Sequence, residues 1–236
     1  MYFDFTYLVF MLPAFLLSAW ASWQTNATFK RFSRVSSGNG LTGAQAAERL
    51  LRYSGIYDVR VERIEGFLTD HYDPTAKVLR LSPGVYDSTS LSAIGVACHE
   101  AGHAIQHANS YAFLSLRTAL VPIVQISSSL SQWILLAGFF LMAFGSRLGM
   151  TIALAGVAMI ALAVLFSIVT LPVEWDASAR AKVHMVEYGI VSRDEARSAG
   201  RVLNAAFMTY VAAAVSGIMT VLYYLIRFGL IGRRDD

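Results

Sequence analysis

Four runs of about twenty apolar residues divide this chain, near positions 5–23, 123–145, 149–170 and 205–226. Crossing a hydrocarbon core of about 30 Å takes about 20 helical residues, since in lipid each backbone polar group must be satisfied within its own segment. The charge content agrees. Only 15% of the 236 residues are charged, where a soluble domain carries about 25%. The chain reads as a mainly α membrane protein with about four transmembrane helices. The first run, within residues 1–23, reads as a retained anchor. Asp4 rather than a basic residue precedes it, and Pro13, Trp20 and Trp23 fit an interfacial end, although Ala19 and Ala21 resemble a weak cleavage site.

Basic residues set the expected topology. Lys30, Arg31 and Arg34 follow the first run, and Arg49, Arg52, Arg60, Arg63, Lys77, Arg80 and Arg117 continue the excess. Arg180, Lys182, Arg193, Arg197 and Arg201 follow the third run, whereas the turn between the second and third holds only Arg147. Basic loops stay inside. Residues 24–122 and 171–204 are therefore expected in the cytoplasm of a cell bounded by a bacterial-type inner or plasma membrane. Residues 123–170 then form a transmembrane hairpin, with the N-terminus and the turn near Ser146 outside. The segment 205–236, a fourth helix and tail, carries Arg227, Arg233 and Arg234 against that rule. A net charge of +3 calls for no nucleic-acid partner; the bilayer accounts for the basic residues.

Between the first two runs the pattern is that of a small folded region. Residues 33–40 are a polar linker. Thr42 caps a helix expected over 43–54, with Ala46, Ala47, Leu50 and Leu51 on one face and Gly55 ending it. Val59, Val61 and Ile64, then Lys77 to Ser82, look strand-like around the turn signal Asp73-Pro74. A short β-hairpin is expected, with strands near 59–72 and 77–82. Ser90 to His107 reads as a helix.

That helix carries the chemistry. His99 and His103 stand four apart, on one face and one turn apart, near enough to share a metal ion. Glu100 lies beside them, within reach of a water activated there. His-Glu-x-x-His on a helix is the arrangement of zinc metallopeptidases. The single cysteine, Cys98, excludes an internal disulfide and reads as packing.

Two histidines leave a catalytic zinc site one ligand short. His107 stands eight residues past His99, about 12 Å along a helix, too far to join the same ion. Glu174 follows the third run and Pro172, where the membrane hairpin brings the chain back to the face that holds His99 and His103. An ordinary interfacial acid is the plainer alternative for it.

The stretches Thr69-Asp-His-Tyr-Asp-Pro, Val96-Ala-Cys-His-Glu-Ala-Gly-His-Ala-Ile-Gln-His, Leu171-Pro-Val-Glu-Trp-Asp-Ala-Ser-Ala-Arg-Ala and Leu203-Asn-Ala-Ala-Phe-Met-Thr-Tyr-Val-Ala-Ala-Ala resemble the YugP-type family of neutral zinc-dependent membrane peptidases, over nearly the whole chain. More distantly the chain is similar to the HtpX and CAAX-prenyl-protease group. The resemblance implies a zincin-like catalytic region, one zinc ion held by His99, His103 and Glu174, and Glu100 as general base. It departs at one place. The distant group has an aspartate four residues after its glutamate, where this chain has Ser178, while Asp176 lies two residues on.

For the oxyanion, His71, Tyr72, Arg180 and His184 are candidates, with His71 first because its motif is characteristic of the family. The expected activity is hydrolysis of peptide bonds in membrane, juxtamembrane or unfolded protein substrates. An extended substrate could add to the edge of the expected hairpin. A non-catalytic membrane scaffold stabilised by zinc is the alternative, but a structural site needs no base and more often closes with a fourth protein ligand. A metal transporter would need ligands inside the spans, and the histidines all lie outside them.

Overall fold

The computed structural model describes residues 5–231. Asp4 of the anchor argument and Arg233 and Arg234 of the topology argument lie outside the described residues. Four helices are long and apolar enough to cross a membrane: α1 (Phe5–Phe32), α5 (Ala112–Ala143), α6 (Leu148–Glu187) and α7 (Arg193–Arg227). Between α1 and α5 come α2 (Gly43–Tyr53), β1 (Arg60–Arg63), β2 (His71–Asp73), β3 (Val78–Leu81), α3 (Pro83–Tyr86) and α4 (Leu91–Ala108).

The chain divides into two compact units, and each of the four long helices has one end in each. The first unit takes residues up to Trp20, Leu116–Thr170 and residues from Tyr210 onward. Its helices meet through small residues. A Cβ on Gly138 of α5 would lie 2.4 Å from the backbone nitrogen of Ala153 of α6, so only glycine permits that approach. Leu135, Ala153 and Val157 are buried beside it. Most other large side chains of α5, including Ile126, Trp133 and Phe140, face outward, as lipid-facing positions should.

The second unit takes Ala21–Ser115 and Leu171–Thr209 and has a conventional apolar core. Phe29 and Phe32 from α1, Leu50 from α2, Leu79 and Leu81 from β3, Ile94 from α4, Met185 from α6 and Leu203 from α7 all enter it. Thr42 starts α2 with a reciprocal cap. Its side chain accepts from Gln45 N–H, and the Gln45 side chain accepts from the Thr42 N–H. Ser90 caps α4 one way only, its side chain accepting from Ala93 N–H.

The sheet differs from the expected hairpin. It has three strands in the order β1-β3-β2, with β1 parallel and β2 antiparallel to β3. The segment expected as one strand over 59–72 breaks after Arg63, where Gly66 and Leu68 take positive φ. Strand β3 takes the centre because Val78, Leu79 and Leu81 are its apolar payload and are buried.

The long helices also extend beyond their apolar runs. Helix α6 passes Pro172 without ending, so the residues expected as an irregular exit are helical to Glu187. An interior proline costs a helix about 3 kcal/mol. The stripe Val173, Glu174, Ala177, Ser178, Ala181 and Met185, buried at helical spacing, outweighs that cost.

Candidate metal centre

Helix α4 brings His99 and His103 together with ring centroids 4.7 Å apart and planes at 80°. Helix α6 supplies Glu174. The two helices approach closely at Gly102, where a Cβ would lie 2.6 Å from the Ala177 carbonyl oxygen. The glycine inside the motif thus lets the backbone of α6 come close enough for Glu174, one turn before Ala177, to reach both rings. Glu174 Oε2 lies 3.1 Å from His99 Nε2 and 3.6 Å from His103 Nε2. All three residues offer ligand atoms within 4.8 Å of one another.

The two carboxylate–imidazole distances are close to those of a zinc site. Bonds of about 2.0–2.2 Å in a tetrahedron place ligand atoms about 3.3–3.6 Å apart. The donor set, two imidazole nitrogens and one carboxylate oxygen, is that of a catalytic zinc site with a position left over. Glu174 is 2% exposed and His103 6%, so the carboxylate is buried against two imidazole nitrogens with little access to water. Burial pushes the His103 imidazole down, and the Glu174 carboxylate more than reverses this, leaving it above its ordinary value.

Both Nδ1 atoms are engaged on the far side of the rings. His99 Nδ1 is 3.0 Å from Ser178 Oγ, and His103 Nδ1 is 3.0 Å from Gln106 Oε1. Gln106, itself fully buried, donates from Nε2 to the Val173 carbonyl and to Asp176 Oδ2, each at 2.8 Å. Asp176 also accepts from Arg180 Nε, and the Arg180 guanidinium lies over the Tyr111 ring. Second contacts of this kind orient the ring and fix which nitrogen is free for metal. Sequence reasoning passed over Gln106 and named Ser178 only as the position where the distant group has an aspartate. Helical spacing held the signal: Gln106 is three residues past His103, and Ser178 four past Glu174.

Glu100 is 8% exposed, and among the described residues no hydrogen bond or ion pair occupies its carboxylate. Cys98 is fully buried; burial pushes its thiol up to about 12, so it stays protonated and packs. His107 leaves the cluster and takes its Nδ1 to the Tyr72 hydroxyl at 2.8 Å. Burial, then Asp58 and Asp73, push that phenol up to about 12, so it remains a neutral hydroxyl.

The oxyanion candidates separate by strand face and by helix rise. His71 is exposed and opposite Arg80 in register, with ring contacts to the Thr69 carbonyl and to Arg80. Tyr72, opposite the buried Leu79, has the face that meets α4. Alternation along β2 therefore turns His71 away from α4. His184 stacks on Tyr188 and contacts Glu187, about 15 Å of helix rise beyond Glu174. Arg180 is held by Asp176.

Four helices of membrane-spanning length and a largely buried His-His-Glu cluster, carried on α4 and α6 and able to hold a metal ion, are the features of a membrane metalloprotein. The chain belongs to the family described as "Putative neutral zinc metallopeptidase", whose model matches residues 7–229. It is 42% identical over 225 residues to the "Putative membrane protease YugP" of Bacillus subtilis (strain 168), a match covering 95% of this chain and 97% of that relative. No solved structure matches.

Proposed function

We propose that the chain is a zinc metalloendopeptidase of the membrane that hydrolyses peptide bonds in membrane, juxtamembrane or unfolded substrates. The observation that carries this reading is the convergence of His99 Nε2, His103 Nε2 and Glu174 Oε2, together with both Nδ1 atoms being engaged elsewhere. One zinc ion held there would lower the pKa of water to about 7 and polarise the scissile carbonyl. Glu100, on the same turn as the ligands, takes the proton of the attacking water and hands it to the leaving amine. Among the described residues no hydrogen bond or ion pair to its carboxylate competes for that proton. Burial around the cluster excludes bulk solvent and strengthens each charge interaction within it.

Basic residues flanking the spans support a cytoplasmic position for this centre. Glu174 lies four residues past Thr170, where the segment Leu116–Thr170 of the first unit ends, which supports substrates presented near the bilayer surface. Equal cleavage of one peptide in tethered and untethered form would count against that preference.

The deciding variant is Glu100→Gln. Glutamine matches the carboxylate in shape and cannot accept the proton. The expected result is unchanged zinc content with casein or membrane-protein hydrolysis reduced by about 10²–10⁴-fold, the usual worth of a general base. Turnover at the wild-type rate would remove Glu100 from the mechanism.

A further inference from the structure

We infer that Gln106 is the positioning residue of the metal centre: a single carboxamide that imposes the ligating tautomer on His103 and fixes the backbone that carries Glu174. The inference rests on the proposed zinc site and goes beyond it.

The argument is one of exclusion. A glutamine side chain has one accepting oxygen and two N–H donors. Both partners of Gln106 Nε2, the Val173 carbonyl and the Asp176 carboxylate, can only accept. The amide therefore cannot be turned over without setting its oxygen against two other oxygens. Its Oε1 is then fixed toward His103 Nδ1, and that nitrogen must carry the hydrogen. In the neutral ring His103 Nε2 then carries the lone pair toward Glu174, as a metal ligand requires.

His99 has no such constraint. Its Nδ1 partner is the Ser178 hydroxyl, which can donate or accept. The two rings look equivalent in the sequence motif, yet only one has its tautomer dictated by its neighbours.

The same amide also acts on the other helix. Val173 directly precedes Glu174, so the bond from Gln106 to the Val173 carbonyl ties α4 to α6 at the residue before the third ligand. Asp176 completes the constraint and is itself held by Arg180. The chain lacks an aspartate four residues after Glu174. The carboxylate two residues after it instead serves the opposite histidine, through Gln106.

The test uses the full chain in detergent, loaded with zinc. Zinc transfer to a chromogenic chelator is timed, and the melting temperature of the metal-free protein is taken alongside. Wild type is compared with Gln106→Leu, Gln106→Glu, Asp176→Asn, Ser178→Ala and the double variant Gln106→Glu/Asp176→Asn. Release from Gln106→Leu should be about 10- to 100-fold faster than wild type, with a smaller change for Ser178→Ala. Gln106→Glu can still accept from His103 but sets a carboxylate against Asp176, so it too should release zinc quickly. The double variant should recover part of the loss, because the new amide at position 176 donates to the new carboxylate. A role in packing alone would give no such recovery.

Release from Gln106→Leu at the wild-type rate would overturn the inference. If that variant does not fold, wild-type release from Asp176→Asn together with no recovery in the double variant would overturn it equally. A wild-type chain that binds no zinc would overturn the metal centre itself, a distinguishable failure.

Discussion

Two of the glycine-mediated contacts of helix α6 serve different ends. In the first unit Gly138 of α5 lets the backbone of Ala153 approach; in the second Gly102 of α4 lets the backbone of Ala177 approach. Around Gly138 the neighbours are apolar, with Leu135 and Val157 buried. Around Gly102 they are His99, His103, Gln106, Glu174 and Ser178. Lipid is as apolar as leucine, so membrane helices associate through close packing of small residues. In the second unit the same geometric device is used to seat polar groups. Close approach there aligns a carboxylate with two imidazoles and satisfies a buried amide, an arrangement that tolerates little error.

The comparison can be broken in stages. The largest effect belongs to the ligands. His99→Ala and Glu174→Ala should each reduce bound zinc from near one per chain toward zero, measured by elemental analysis of purified protein. Full zinc in the Glu174 variant would detach α6 from the centre. Next come the two glycines. Gly102→Ala forces a methyl to within 2.6 Å of the Ala177 oxygen. It should cost about 1–3 kcal/mol, as overpacking does, and lower zinc content with it. Gly138→Ala, whose Cβ would lie 2.4 Å from Ala153 nitrogen, should lower the melting temperature by a similar free energy with zinc content unchanged. Equal zinc loss in both variants would mean that the contacts are not separate in function. The smallest change is Ser178→Ala, which removes one hydrogen bond to His99, worth about 0.5–1.5 kcal/mol. Its stability in chemical denaturation should fall by that amount, with hydrolysis retained.

Much of this was legible in the sequence, for reasons of period and length. Apolar runs long enough for a bilayer have few other uses, and the structure has helices of membrane length at each of them. Thr42 and Ser90 announced the helices they cap. The sheet was less legible. Short strands carry little periodic information, so nothing local showed that β3 would lie between β1 and β2 or that β1 would run parallel to it. Pro172 read as a helix end because its local cost is clear, whereas the burial of Ala177, Ala181 and Met185 that offsets it lies in tertiary contacts.

At the candidate metal centre the division falls in the same place. The sequence by itself determined the reactive groups: two imidazoles one helical turn apart, a carboxylate between them, and a second carboxylate beyond an apolar helical hairpin. Residue identity and spacing within one helix fix those things, because the helix repeat is constant. Only the tertiary structure decided that Glu174 meets both rings, that Tyr72 rather than His71 faces α4, and that Gln106 and Ser178 serve different histidines. Those outcomes depend on how closely two helices distant in sequence can approach. That distance is set at Gly102 by the absence of one methyl group.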